Sequence, residues 1–129
     1  MILADAISGW GVSDLLKELI GRDRPSNLKT AIAMEDVHTR SFPSGHTTTA
    51  FAMATMLLIL TWNTKYRHLG WSSYAVASLI GFSRIYRGVH WPTDVIGGVF
   101  CGIGTSCLLY FVLPGFGLDL LGQPEDKAG

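Results

Sequence analysis

Charge is scarce in this chain. Only 16% of its 129 residues are Asp, Glu, Lys or Arg, against 48% apolar, a low share for a domain wetted on every side. Ten basic and ten acidic residues cancel to a net charge of zero, so no bulk charge draws the chain to nucleic acid. Cysteine is nearly absent. Cys101 and Cys107 stand six apart in one apolar segment; on a helix they would lie about 9 Å apart along the axis and on different faces. That separation excludes a disulfide between them and leaves two small hydrophobes. The opening MILADAISGW lacks a basic start and carries Asp5, so no cleavable signal peptide is expected. The length suits one domain and not two.

What the chain has instead is long apolar runs. From Ser44 to Trp62 there are nineteen residues without a charge, near the length that spans a bilayer. A second run, Leu69–Phe82, extends to Tyr86, and a third, Val95–Leu113, is again nineteen uncharged residues. The polar turn Asn63–His68 separates the first two. An all-α helical membrane bundle of about four to five helices is therefore expected, with three spanning-type helices at 44–62, 69–86 and 93–113. A soluble all-helical core is the alternative. Residues 2–20 show helical apolar spacing, interrupted by Gly9 and Gly11, and are expected to pack against other helices. Residues 22–43, with Pro25 and Pro43, read as a long loop, a length often tied to function. In the third run Gly98, Gly102 and Ser106 recur every four residues, a stripe that allows close helix contact; packing within the chain is preferred to a dimer seam. Residues 1–114 form the expected domain and 115–129 a tail.

Three short segments carry unusual polar groups. The first holds Lys17 and, seven residues on, Arg24 before Pro25. If the helix persists that far, both cations lie on one face and make an anion site; a basic helix end is also an ordinary solvated feature. The second is Ser41-Phe-Pro43-Ser44-Gly45-His46, opening an apolar helix. Ser44 suits a helix cap, Gly45 admits a ligand close to the backbone, and free amides at a helix start bind phosphate. The third runs from Ser83-Arg84 through Arg87 and His90 to Asp94. Asp94 stands one helical turn from His90, where a carboxylate hydrogen-bonded to one imidazole nitrogen would fix the tautomer and leave the other nitrogen as a nucleophile. Pro92 suits the first helical turn. Ionisable groups beside apolar runs are costly and usually functional. The four histidines show no metal-ligand spacing with cysteines or carboxylates, so no metal is expected.

Together these segments resemble the phosphatidic acid phosphatase type 2 superfamily. Its three-part signature is matched by Lys17, six residues, Arg24-Pro25; by Pro43-Ser44-Gly45-His46; and by Ser83-Arg84, five residues, His90, three residues, Asp94. The likeness covers roughly residues 13–113. It implies a metal-independent phosphatase, with no cofactor, that cleaves a lipid phosphate (phosphatidate, phosphatidylglycerol phosphate or polyprenyl diphosphate) through a phosphohistidine. His90 would be the nucleophile, Asp94 its orienting partner, and His46 the acid that protonates the leaving oxygen and then activates water. Lys17, Arg24 and Arg84 would hold the phosphoryl oxygens with Ser44 and the Gly45 amide. Arg22 and Arg87 fall outside the signature and are assigned a supporting electrostatic role. Fixed cations and in-line positioning suit the barrier to phosphoryl transfer.

Membrane members of that family usually have six spanning helices, with the lysine-bearing motif after the third. The chain starts at or within that third helix, which implies a truncated member, a natural short form, or a need for upstream helices or a partner chain. If the runs span, all three motifs lie on one side and the Asn63–His68 turn, with Lys65 and Arg67, on the other. The positive-inside rule then puts the turn in the cytoplasm and the site on the periplasmic or extracellular face of a plasma or inner membrane. The alternatives are a lipid phosphotransferase, a vanadate-dependent haloperoxidase-like enzyme, or a catalytically silent membrane subunit.

Overall fold

A computed structural model describes residues 11–25 and 40–112. It contains four helices, α1 (Ser13–Ile20), α2 (Gly45–Thr61), α3 (Arg67–Tyr86) and α4 (Pro92–Val112), and no strand among the described residues. The all-α class and the positions of the three apolar helices agree with expectation to within two residues at each boundary. Pro92 opens α4 as its first helical residue, where a missing amide costs nothing. Arg67 and His68, expected in the turn, belong to the first turn of α3. One expectation is narrowed. Of the three long helices only α4 is long and apolar enough to cross a membrane by length and composition alone; α2 is apolar but has seventeen residues, and α3 opens on Arg67-His68 and carries Arg84 in its last turn.

α2 is the central helix and packs against both α3 and α4. Small residues let the backbones approach. A β-carbon on Gly98 would lie 2.9 Å from the Ser44 carbonyl, and one on Gly102 would collide with the Thr48 carbonyl and lie 2.9 Å from the Ala52 nitrogen. Ser106 continues the stripe and donates to the Ala52 carbonyl at 2.9 Å. The stripe thus packs within the chain, as expected. On α3, Gly70 sits against Leu58 and Thr61 of α2, and Gly81 against Val95 of α4 and Thr47 of α2. Phe51, Ala54 and Ala77 form the small apolar centre, with Tyr74, Val99 and Ile103 against it.

The distribution of polarity is inverted relative to a water-soluble bundle. Ser44, Thr47, Thr48, Asp94 and Ser106 are fully buried, whereas Leu79, Phe82, Phe100, Leu108 and Phe111 are each more than 60% exposed. So much outward aromatic and aliphatic surface matches lipid or further helices and not water, which weighs against a soluble all-helical core.

α1 departs from expectation in two ways. Gly21 takes a left-handed conformation (φ 63°) and ends the helix at Ile20, so Lys17 and Arg24 do not share a helix face. Glycine is the residue that adopts this geometry without steric penalty. The apolar stripe also fails to turn inward: Leu15, Leu19 and Ile20 are exposed, and Ser13 is the buried residue. The expected continuation of this helix back to residue 2 lies outside the described residues, as do the middle of the 22–43 loop and the tail. The antiparallel course of α2, α3 and α4 brings the start of α2, the end of α3 and the start of α4 to one end of the bundle. All three motifs are there.

Candidate active site

Asp94 lies in the first turn of α4, fully buried. Its Oδ2 accepts the Trp91 amide at 2.8 Å and a very short hydrogen bond from the Ser41 hydroxyl. Its Oδ1 accepts Arg22 Nη1 at 3.0 Å. A buried carboxylate needs such partners, since an unpaired one is heavily penalised. His90 Nδ1 stands 3.7 Å from Oδ2, beyond hydrogen-bond length. The expected carboxylate–imidazole contact is therefore an electrostatic one here, because Ser41 and Trp91 already occupy Oδ2.

The other face of the His90 ring meets Arg24. Both side chains are almost wholly buried, at 4% exposure each, and Arg24 Nη1 lies 3.2 Å from His90 Nε2 and 2.8 Å from the Val89 carbonyl. Guanidinium only donates hydrogen bonds. Nε2 must therefore be the acceptor, with its lone pair toward Arg24, and the ring proton sits on Nδ1, facing Asp94. This is the tautomer a nucleophilic Nε2 requires.

Lys17, Gly45 and His46 meet a short way off. A β-carbon on Gly45 would lie 3.7 Å from Lys17 Nζ, and the three residues line one open cavity of about 420 Å³ with Thr49, Ala50 and Met53. Lys17 also pairs with Asp14 at 2.7 Å. Ser44 joins this cavity to the His90 cluster: it precedes Gly45, and its amide donates to the Asp94 carbonyl at 3.0 Å. Ser44 holds the cap position of α2 but makes no side-chain capping bond. Its Oγ accepts the Thr47 hydroxyl at 3.0 Å instead, which corrects the expected capping role. Arg84 sits in the last turn of α3 at the same end, and its carbonyl accepts the Val89 amide at 3.3 Å.

Sequence reasoning misses two residues. Ser41 enters it only as part of a motif, and Arg22 only as a supporting charge, yet both bind Asp94 directly. No linear signal ties Arg22 to a carboxylate 72 positions away. Arg22 also donates to Thr93 Oγ1 at 2.6 Å and lies 5.6 Å from the centre of the Trp91 ring. Both ends of the loop are pinned together: Ser41 donates from its amide to the Arg22 carbonyl at 2.8 Å, and Arg24 Nη2 to the Arg40 carbonyl at 3.2 Å.

The sequence model of the PAP2 superfamily matches residues 1–116. The chain belongs to this family. Among PAP2 relatives it is 35% identical over 115 residues to a lipid A 1-phosphatase of Porphyromonas gingivalis, a match covering 87% of the chain and 24% of that protein. The crystal structure of Aquifex aeolicus LpxE superposes with a TM-score of 0.68 at 34% identity, over 83% of the chain and 62% of LpxE. A transmembrane PAP2-type phosphatidylglycerolphosphate phosphatase from Bacillus subtilis superposes with a TM-score of 0.64 at 30% identity, over 89% of the chain and 56% of that protein. The chain spans between about a quarter and about half of the length of the first curated relatives it matches.

Proposed function

We propose that this chain is a membrane-embedded lipid phosphatase that works through a phosphohistidine on His90. The observation that carries the reading is the pair of contacts on the His90 ring: Arg24 at Nε2, 3.2 Å away, and Asp94 behind Nδ1. A cation beside the lone pair of a neutral imidazole is a place for a phosphoryl group, since the guanidinium can transfer its hydrogen bonds to phosphoryl oxygens.

In the first step His90 Nε2 attacks phosphorus and the bond to the leaving oxygen breaks. His46 gives that oxygen its proton. In the second step His46 takes a proton from water, the hydroxide attacks phosphorus, and the P–N bond breaks to release phosphate and restore neutral His90. Asp94 steadies the positive charge that the ring acquires at Nδ1. Lys17, Arg24 and Arg84, with Ser44 and the Gly45 amide, hold the phosphoryl oxygens, where fixed charge lowers the barrier most. No step needs a metal.

The substrate class is a phosphate on a lipid anchor. The relatives' names specify different lipids, lipid A in one and phosphatidylglycerol phosphate in another; phosphate and apolar anchor are the features they share. The outward apolar surface of the helices and the spanning length of α4 support residence in the bilayer, and the positive turn between α2 and α3 supports a site on the periplasmic or extracellular side.

The test is phosphate release in detergent from phosphatidate, phosphatidylglycerol phosphate and a polyprenyl diphosphate. Hydrolysis of at least one, undiminished by chelator, blocked by vanadate and reduced to background by His90→Ala, is expected. Turnover by the His90→Ala variant at the wild-type rate would refute the mechanism.

A further inference from the structure

We propose that the α2–α3 turn, at the end of the bundle opposite His90, is a second anion site that takes the phosphate headgroup of an anionic phospholipid. The seventeen residues of α2 put the turn about 25 Å from the start of that helix, so it belongs to neither the His90 cluster nor the Lys17 cavity. A cavity of about 620 Å³ opens there, lined by Trp62, Asn63, Lys65, Arg67, His68 and Trp71 among others.

Three observations specify the ligand. First, the cations Lys65 and Arg67 have no acidic partner among the described residues. No acidic residue occurs between Asp36 and Asp94. Second, they are held in place. Arg67 lies 5.8 Å from the centre of the Trp62 ring and Lys65 5.2 Å from that of Tyr66. Such contacts orient a cation without cancelling its charge. His68 is fixed too, its Nδ1 3.1 Å from the Lys65 carbonyl. Third, the walls are amphipathic aromatics. Trp62 and Trp71 approach to 6.5 Å between ring centroids, and both are about half exposed, as is Tyr66. Tryptophan and tyrosine with one wet and one apolar edge settle at headgroup depth. Cations at that depth attract anionic lipid. A lipid fits better than a free solute because α3 continues from the aromatic walls with the exposed apolar residues Leu69, Val76 and Leu79, along which acyl chains would run.

The experiment uses the full chain in neutral detergent micelles. Phosphatidylglycerol, phosphatidylcholine or inorganic phosphate is titrated in, and apparent affinity is read from tryptophan fluorescence and from lipid retained in native mass spectra. Wild type is compared with the double variant Lys65→Gln, Arg67→Gln. Anion binding at the His90 site is common to both proteins, so their difference isolates the turn. Saturable phosphatidylglycerol binding is expected in wild type, weakened about thirtyfold in the double variant, with phosphatidylcholine weak in both. Should the double variant fold poorly, as judged by its melting profile, the single variants Lys65→Gln and Arg67→Gln serve instead, and each should weaken phosphatidylglycerol binding about fivefold. Equal affinity for the two lipids, or for wild type and double variant, would overturn the proposal. So would inorganic phosphate binding the turn as tightly as phosphatidylglycerol, since the occupant would then be a solute. None of these readouts depends on catalysis, so the site stands or falls separately from the phosphatase reading.

Discussion

Asp94 is the residue on which the site turns, and its surroundings show how a charge is kept inside an apolar bundle. Four polar groups converge on it: the Ser41 hydroxyl, the Trp91 amide, the Arg22 guanidinium and, farther off, the His90 ring. Arg22 and Ser41 touch no substrate in the proposed mechanism and act as positioning residues, through Asp94, on the tautomer and orientation of His90. Arg22→Gln should then lower kcat by up to about 100-fold, the scale of a small misplacement in a catalytic array, with KM little changed. Arg22→Lys, which keeps the charge, should recover part of the loss. Steady-state kinetics on a lipid phosphate decide this, and a change confined to KM would reassign Arg22 to substrate binding. A second prediction concerns His46. If it protonates the leaving oxygen, His46→Ala should cost about 10²–10⁴-fold on an alkyl phosphate ester and far less on p-nitrophenyl phosphate, whose leaving group needs no proton. Equal losses on the two substrates would remove the acid role.

Between elements, the close approach of α2 and α4 sets the geometry. Ser44 joins the two helices by its bond to the Asp94 carbonyl, and Gly98, Gly102 and Ser106 hold them together along the rest of the seam. At Gly102 there is no room for a side chain, whereas nothing lies within 4 Å of a β-carbon on Gly104. Gly102→Val should therefore destabilise the bundle by about 1–3 kcal/mol or more, since the obstruction is backbone. Gly104→Ala should be neutral or slightly stabilising through helix propensity. Thermal melts in detergent compare the two. A similar drop for both would mean that the seam is looser than the contacts indicate.

Over the whole molecule, the antiparallel path sends every motif to one end and the cationic turn to the other. This polarity predicts sidedness. In a Cys101→Ala, Cys107→Ala background, Asn63→Cys should resist a membrane-impermeant thiol reagent on intact cells and react after permeabilisation. Labelling in intact cells would reverse the orientation.

The helices are legible from the chain alone because a run of apolar residues between polar turns states its own boundaries, and those hold to within two residues. The signature spacing likewise names the residues that gather at one end, because each motif sits directly against a helix terminus. The stopping point of α1 also has a linear signal, since Gly21 in the left-handed region ends a helix whatever follows; the spacing of Lys17 and Arg24 masks it. Other features have no linear trace. That Arg22 and Ser41 bind Asp94, that Arg24 lies on His90 Nε2, and that Oδ2 is occupied so the ring stands off at 3.7 Å depend on segments far apart in the chain meeting at one point. Periodicity and motif are properties of neighbours along the backbone. The partner of a buried charge is chosen by which groups the packed helices leave within reach, and only the folded arrangement determines that.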